Sequence, residues 1–275
     1  MRFLLVLCCL FFADPSGSAE TLVLAYPERQ RMPFMAESPN DEGIYREIFS
    51  RAAAQIGAEL TIVRLPKRRI FQYMREGRVD AYPGSFAEDR VSIMNWMEFG
   101  VMTREVCITR NDVPLLTSLA TAPPLRLVHE IGDSRARIDS QYPNIKPVVF
   151  GARIDVKHGL ELVKGRRGDL FIIEEPTLNF YLKTERITSL AEVGLLLHSN
   201  CIEGEKPLLL GVSRASKWYG ERLNPEFDRR KPLSPNNLPT KIDEGSRAGR
   251  LSAALKNMIE SGEIQRILSD SMKSQ

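Results

Sequence analysis

Two stretches of this 275-residue chain set out charged and hydroxyl side chains in the same order. MREGRVDAYPGS, Met74 to Ser85, and VKGRRGDLFIIEE, Val163 to Glu175, each read as a helix end, a Gly/Arg cluster, an aspartate and a buried strand. Beyond the first strand come Ser85 and the turn Phe86, Ala87, Glu88, Asp89, Arg90. A planar guanidinium in such a turn offers two parallel charge-assisted hydrogen bonds to a carboxylate. That carboxylate is either one of its own acidic neighbours, Glu88 and Asp89, or a group from outside. Beyond the second strand Glu174 and Glu175 precede Pro176, a pair of carboxylates at a strand end. In open α/β sheets ligands sit outside the carboxyl ends of strands, so the loops after these two strands are where chemistry gathers. Two such half-sites facing each other make a cleft.

Other chemistries find little support. His129, His158 and His198 are dispersed and lack metal-ligand spacing, so no metal site and no cofactor is predicted. No Ser/His/Asp or Cys/His motif of a hydrolase is present. The 38 Lys+Arg stand against 35 Asp+Glu and are interspersed with them, a net charge of only +3, which does not imply a nucleic-acid partner.

The elements that position these residues follow from periodicity. Thr21 to Tyr26 is an apolar run of strand formers that ends in a Pro-containing loop. Between Gly43 and Gly57, Ile44, Ile48, Ala52 and Ile56 recur four apart, the spacing of one helix face, and Gly57 closes the helix. ELTIVRLP reads as a second strand, and Lys67 to Glu76 as a second helix with Ile70, Phe71 and Met74 turned inward. This β-α-β-α order implies a mainly parallel sheet with covered faces. After Pro123 and Pro124 the rhythm repeats: LRLVHEIG as a strand, DSRARIDSQY as a helix begun by Asp133 or Ser134, PVVFG, a helix from Asp155 to Lys164, and DLFII. The last third adds LLLGVSR as a strand and a helical tail interrupted at Gly262, and periodicity does not assign that tail to either half.

Arg2 precedes an unbroken apolar run from Phe3 to Phe12, and the small residues Gly17 and Ala19 then occupy cleavage-site positions. These features predict a secretory signal peptide cut after Ala19, with a soluble mature protein exported to the periplasm. The apolar run is too short to span a membrane, and Cys8 and Cys9 lie inside it rather than at its end, where a lipid-anchoring cysteine belongs. Cys107 and Cys201 remain after cleavage, either paired in an oxidising compartment or held as buried thiols.

From Leu65 to Arg90 the sequence resembles the bacterial extracellular solute-binding proteins of family 3, the periplasmic polar amino-acid-binding type. The resemblance is carried by Pro66 with Arg69, by Gly77, Arg78 and Asp80, and by the turn from Ser85 to Arg90. GIYREIFSRAA, RRGDLFIIEE and SRAGRLSAALKNMIESGEIQRIL extend it over nearly the whole mature chain. It implies an α/β, two-lobed type II periplasmic-binding-protein fold, with lobe one from 20 to 103 and 208 to 275, lobe two from 104 to 207, and two crossing segments as hinge. The protein would be a monomer that closes on a small anionic or zwitterionic ligand, and an ABC permease or membrane receptor would read the closed form.

The resemblance also assigns roles. Arg90 matches the arginine that grips a ligand carboxylate, Ser85 the hydroxyl beside it, and Glu174 the acidic residue that accepts a ligand ammonium. Gly132, Asp133 and Ser134 fall at a helix start in lobe two that faces an anionic group. Tyr26 stacks over the ligand or packs in the core, and Arg69 either anchors its helix or adds positive charge to the cleft rim. Ala87 and Phe86 stand where the family carries threonine, which leaves fewer hydroxyl donors and a more apolar pocket. With the crossings so placed, a Cys107–Cys201 disulfide would tie them together. Two alternatives share the resemblance: an exported dehydratase of cyclic carboxylic acids with Glu174 as general acid, and a soluble sensor domain that docks to a signalling receptor.

Overall fold

The computed structural model describes residues 20–131, 135, 138–150, 154–202 and 204–273. The predicted signal peptide and the helix start at Gly132, Asp133 and Ser134 lie outside the described residues. The chain begins with β1 (Glu20–Tyr26), α1 (Ile44–Gln55), β2 (Ala58–Arg64), α2 (Lys67–Arg75), β3 (Ala81–Gly84) and β4 (Met94–Thr103). It continues through β5 (Glu105–Arg110), β6 (Leu125–Glu130), α3 (Ile138–Gln141), β7 (Ile145–Phe150), α4 (Val156–Lys164), β8 (Leu170–Glu174), α5 (Glu175–Thr184) and β9 (Leu195–His198). The last part comprises β10 (Lys206–Ser213), β11 (Glu221–Leu223), β12 (Thr240–Ile242), α6 (Arg247–Glu260) and α7 (Glu263–Lys273). No helix among the described residues is long and apolar enough to cross a membrane.

The strands form two five-stranded sheets, β2-β1-β3-β10-β4 and β7-β6-β8-β5-β9. In each, three parallel strands are followed by one that runs antiparallel and enters from the other half of the chain: β10 in the first sheet, β5 in the second. The halves therefore share one plan, as the repeated sequence rhythm implies. The helical tail belongs to the first sheet: Leu251, Leu255 and Met258 of α6 pack with Ile48 and Phe49 of α1 and Phe99 of β4. On the opposite face Ile70 and Met74 of α2 meet Ala25 and Leu209. The second sheet is covered likewise by two apolar clusters, one with α4 and α5, the other with α3.

The repeated aspartates explain the echo in physical terms. Asp80 Oδ2 accepts the Val23 N–H at 2.8 Å while the Asp80 N–H donates to the Val23 carbonyl at 2.9 Å. In the second sheet Asp169 Oδ2 accepts the Arg126 N–H at 3.1 Å, and the Asp169 N–H donates to the Arg126 carbonyl at 2.8 Å. Each aspartate thus locks the start of a third strand to the first strand of its own sheet. Gly77 makes the preceding turn at φ 67°, where a Cβ would collide with the Ala215 carbonyl.

Chain crossings between the sheets are pinned at both ends. Arg104, the single residue between β4 and β5, holds Glu175 with Nη2 at 2.7 and 2.8 Å from its two carboxylate oxygens, and the Glu175 N–H donates to the Arg104 carbonyl at 2.8 Å. Cys107 on β5 is disulfide-bonded to Cys201, just past β9, with Cα atoms 6.0 Å apart and a sequence separation of 94. Both cysteines lie in the second sheet's core, so the bond joins the strand entering that sheet to the segment leaving it.

Closing a loop of 94 residues restricts the unfolded chain strongly, so the Cys107→Ala/Cys201→Ala variant should lose about 2–4 kcal/mol of stability in a denaturant titration. Asp169 carries a pH signature. Hydrogen bonds from the Arg126 guanidinium, with help from the Arg126 N–H and from Arg110, hold its pKa at about 2. The folded-state pKa lies below the unfolded value of 3.8, so the stabilisation is full above that pH and is lost as pH falls from there towards about 2. Asp169→Asn should therefore lower the melting temperature at neutral pH, and the gap to the unsubstituted protein should close by about pH 2.

Candidate functional site

Between the sheets lies a cavity of about 340 Å³, bounded by the carboxyl ends of β3, β6 and β8 and by the loop after β1. Its position follows the strand-end rule for α/β sheets. From the first half, Gly84 ends β3 and hands the chain to Ser85, Phe86 and Ala87, and a short 3-10 turn over Glu88–Arg90 follows. Ser85 and Arg90 both line the cavity. Arg90 stacks on the Phe71 ring, with Cζ 4.2 Å from the ring centroid, and among the described residues it has no ion pair. Its acidic neighbours Glu88 and Asp89 do not neutralise it, and the guanidinium edge is available to a group in the cavity. Lys67, at the start of α2, adds a second positive charge to the same wall.

Glu174 comes from the opposite side, at the end of β8, where α5 begins without a gap. It is not vacant. Arg31, from the loop between β1 and α1, reaches across the cleft and places Nη2 2.7 Å from Glu174 Oε1. Arg29, two residues earlier, makes a parallel ion pair with Glu130 at the end of β6. The loop that carries both arginines is held firmly. Arg64 binds it from β2, donating to the Pro27 and Ala36 carbonyls at 2.9 Å each and to Asp41 at 2.8 Å. Phe34 and Met35 anchor it in the core. Arg31 itself sits over the Phe34 ring at 5.3 Å and donates to the Tyr45 hydroxyl at 3.2 Å. Burial is the largest influence on the Arg31 pKa and lowers it, but the Glu174 charge, Tyr45, Tyr82 and the hydrogen bond to Glu174 together outweigh it and the pKa is raised, so the guanidinium stays charged. Burial pushes the Tyr45 phenol up, which keeps that acceptor neutral.

Two candidate residues stand outside the cavity lining. Tyr26 does not reach the cleft: it is fully buried, 6.0 Å from the Tyr45 ring and 5.0 Å beneath the Arg64 guanidinium. The cause is strand alternation, since Tyr26 shares a face of β1 with Leu22 and Leu24, and that face is the one covered by α1. Arg69 is exposed on α2 and does not line the cavity, because Ile70 and Met74 take the inward face of that helix and Lys67 takes the cleft-side position. Ser134 lies outside the described residues. Arg29, Arg31 and Glu130 form the part of the site that periodicity does not reveal. The available signal was positional, for the two arginines sit directly beyond the carboxyl end of β1.

The remaining walls combine aromatic and apolar side chains, Tyr82, Phe86 and Phe180 among them, with polar ones that include Asp155, Lys157 and Glu185. Buried Thr177 Oγ1 and His129 Nε2, on residues of the cavity lining, have no hydrogen-bond partner among the described residues. His129 Nδ1 lies 3.0 Å from the Glu130 carbonyl and must carry the proton there, which leaves Nε2 as an acceptor in the neutral ring. Among the described residues no group of His, Cys, Asp and Glu is placed to hold a metal ion.

No protein-family model matches the sequence, and no curated protein matches it. Solved structures do match in fold. A mutant of the arginine-binding protein ArgBP from T. maritima aligns at TM-score 0.64 and 14% identity over 92% of this chain and 95% of that one. A histidine kinase sensor domain with similarity to periplasmic binding proteins aligns at 0.65 and 14% identity, over 92% and 96%. The ancestral amino acid-binding protein AncCDT-1, a precursor of cyclohexadienyl dehydratase, aligns at 0.61 and 12% identity, over 91% and 94%. The chain has the two-lobed α/β fold of periplasmic binding proteins. At these identities the likeness extends to the fold alone.

In that fold, closure is set by what bridges the lobes, and here two intrachain ion pairs do so. Without Arg29 and Arg31 the lobes should part in the ligand-free protein. Small-angle scattering of Arg29→Ala/Arg31→Ala should give a larger radius of gyration than the unsubstituted chain; an unchanged radius would show that closure does not depend on these pairs.

Proposed function

We propose that the protein is a periplasmic solute-binding protein that captures a small carboxylate-bearing ligand between its two lobes. The boundaries proposed are 20–103 with 208–275 for lobe one and 104–207 for lobe two. The observation that carries this reading is Arg90, a guanidinium braced on Phe71 that has no carboxylate partner among the described residues and lines the interlobe cavity. A fixed, uncompensated guanidinium at a cleft edge has an energetic reason to take up an external carboxylate, and Ser85 beside it supplies a hydroxyl. The apolar walls fit a ligand whose body is not strongly polar. Closure around the ligand would be the signal read by a membrane permease in uptake or by a receptor. Dehydratase chemistry draws less support, because it asks Glu174 to serve as general acid while its carboxylate is engaged by the Arg31 guanidinium.

Charge-assisted hydrogen bonds of this kind are worth about 1.5–3 kcal/mol each. Calorimetry against a panel of amino acids and organic acids should find a carboxylate that binds with one ligand per chain, and Arg90→Ala should weaken it about 10- to 100-fold. Arg90→Lys should recover only part of that loss, because an ammonium cannot reproduce the parallel pair of bonds. A panel in which no heat depends on Arg90 would remove the basis of the proposal.

A further inference from the structure

Resting on that reading, we infer that the ligand carries no amino cation: the site selects carboxylates with an apolar or hydroxylated body, because Arg31 of the protein itself occupies the acidic subsite at Glu174. Glu174 is the acidic side chain opposite Arg90 that a ligand ammonium would seek, and its Oε1 already accepts from Arg31 at 2.7 Å. The other cleft carboxylate at a strand end, Glu130, is taken by Arg29 and also accepts the Ile154 N–H at 3.3 Å.

Arg31 is built in rather than borrowed. Its guanidinium is positioned from its own lobe by the Phe34 ring and the Tyr45 hydroxyl, and its backbone bridges to Met35 inside the loop that Arg64 clamps. An incoming ammonium would have to displace a charge held at three points, or settle for Asp155 or Glu185, exposed carboxylates on the cavity lining. The first route leaves a buried charge uncompensated, which is costly in a desolvated pocket, and the second offers only a solvent-screened pair. A ligand without that ammonium meets no such obstacle. Its carboxylate pairs with Arg90, its body lies against Tyr82, Phe86 and Phe180, and a hydroxyl can meet Ser85.

Matched pairs that differ by the amino group test the inference: L-tyrosine against desaminotyrosine, L-phenylalanine against hydrocinnamate, and L-glutamate against glutarate, each titrated calorimetrically into the full chain. At least one desamino member is expected to bind, and about tenfold or more tightly than its amino acid. In Arg31→Ala, where the Arg31 charge no longer stands at Glu174, the preference should shrink or reverse towards the amino acid. An amino acid that binds the unsubstituted protein at least as tightly as its desamino partner overturns the inference while leaving the carboxylate reading intact. Absence of Arg90-dependent heat with all six probes counts against the carboxylate reading itself. Should Arg31→Ala fail to fold, as judged by circular dichroism, the comparison in the unsubstituted protein still decides.

Discussion

The ion pair between Arg31 and Glu174 is the contact on which the arrangement of the cleft depends. Removing two charges from water costs several kcal/mol per ion after relaxation, and mutual attraction repays this only where further hydrogen bonds complete the geometry. The surrounding structure supplies them: the Tyr45 hydroxyl accepts from the guanidinium, the Phe34 ring lies beneath it, and Arg64 ties down the loop from which it projects. Tyr45 and Phe34 belong in turn to the aromatic cluster with Phe49 and Phe99 that cements α1 to β4. The cross-cleft charge is therefore an extension of the first lobe's core into the second lobe's strand ends.

That reach matters because it joins the two halves away from their crossings, as the parallel Arg29–Glu130 pair also does. Arg104 turns the chain from β4 into β5 and clamps Glu175, the residue immediately after Glu174. Adjacent glutamates thus take two arginines from different places, one at the hinge and one in the loop beyond β1. Any rotation of the second lobe about Arg104 swings Glu174 relative to Arg31. Hinge and cleft are mechanically coupled through a single peptide, and the Glu175 N–H bonded to the Arg104 carbonyl keeps that lever short.

How much of this the sequence disclosed follows the nature of each interaction. Elements that bury one face announce themselves by spacing, so β1, α1, β2, α2, α4 and β8 are legible from apolar periodicity. β4 and β5 are not, because β4 carries Asn95 and Glu98 within its run and the two strands are separated by Arg104 alone, with no turn residue to mark the break. α5 escapes notice for a related reason: it starts on Glu175 and Pro176, directly at the strand end, and Pro in a first turn resembles a loop in sequence although it suits a helix start. Within the site, Ser85, Arg90 and Glu174 are reachable by counting from the repeated aspartates, which are themselves structural. Arg29 and Arg31 lie in a segment without periodicity, and their partners are more than a hundred residues away. Long-range charge pairing leaves no local signature.

The contrast between Arg31 and Arg90 shows why residue type alone does not identify a binding group. Both are arginines on the first half of the chain, both line one cavity, and both lie against an aromatic ring. What separates them is the carboxylate each can reach. Arg31 meets Glu174 and becomes part of the scaffold; Arg90 has Glu88 and Asp89 beside it in sequence, yet the 3-10 turn carries them away from its guanidinium. Ala87 contributes to that outcome, since it opens the turn with no side-chain cap and leaves Arg90 as the polar group this turn presents to the cavity. A turn that presents one guanidinium to the cavity, opposite Glu174 and Glu130 that are already paired with arginines of the same chain, sets the charge balance at the strand ends.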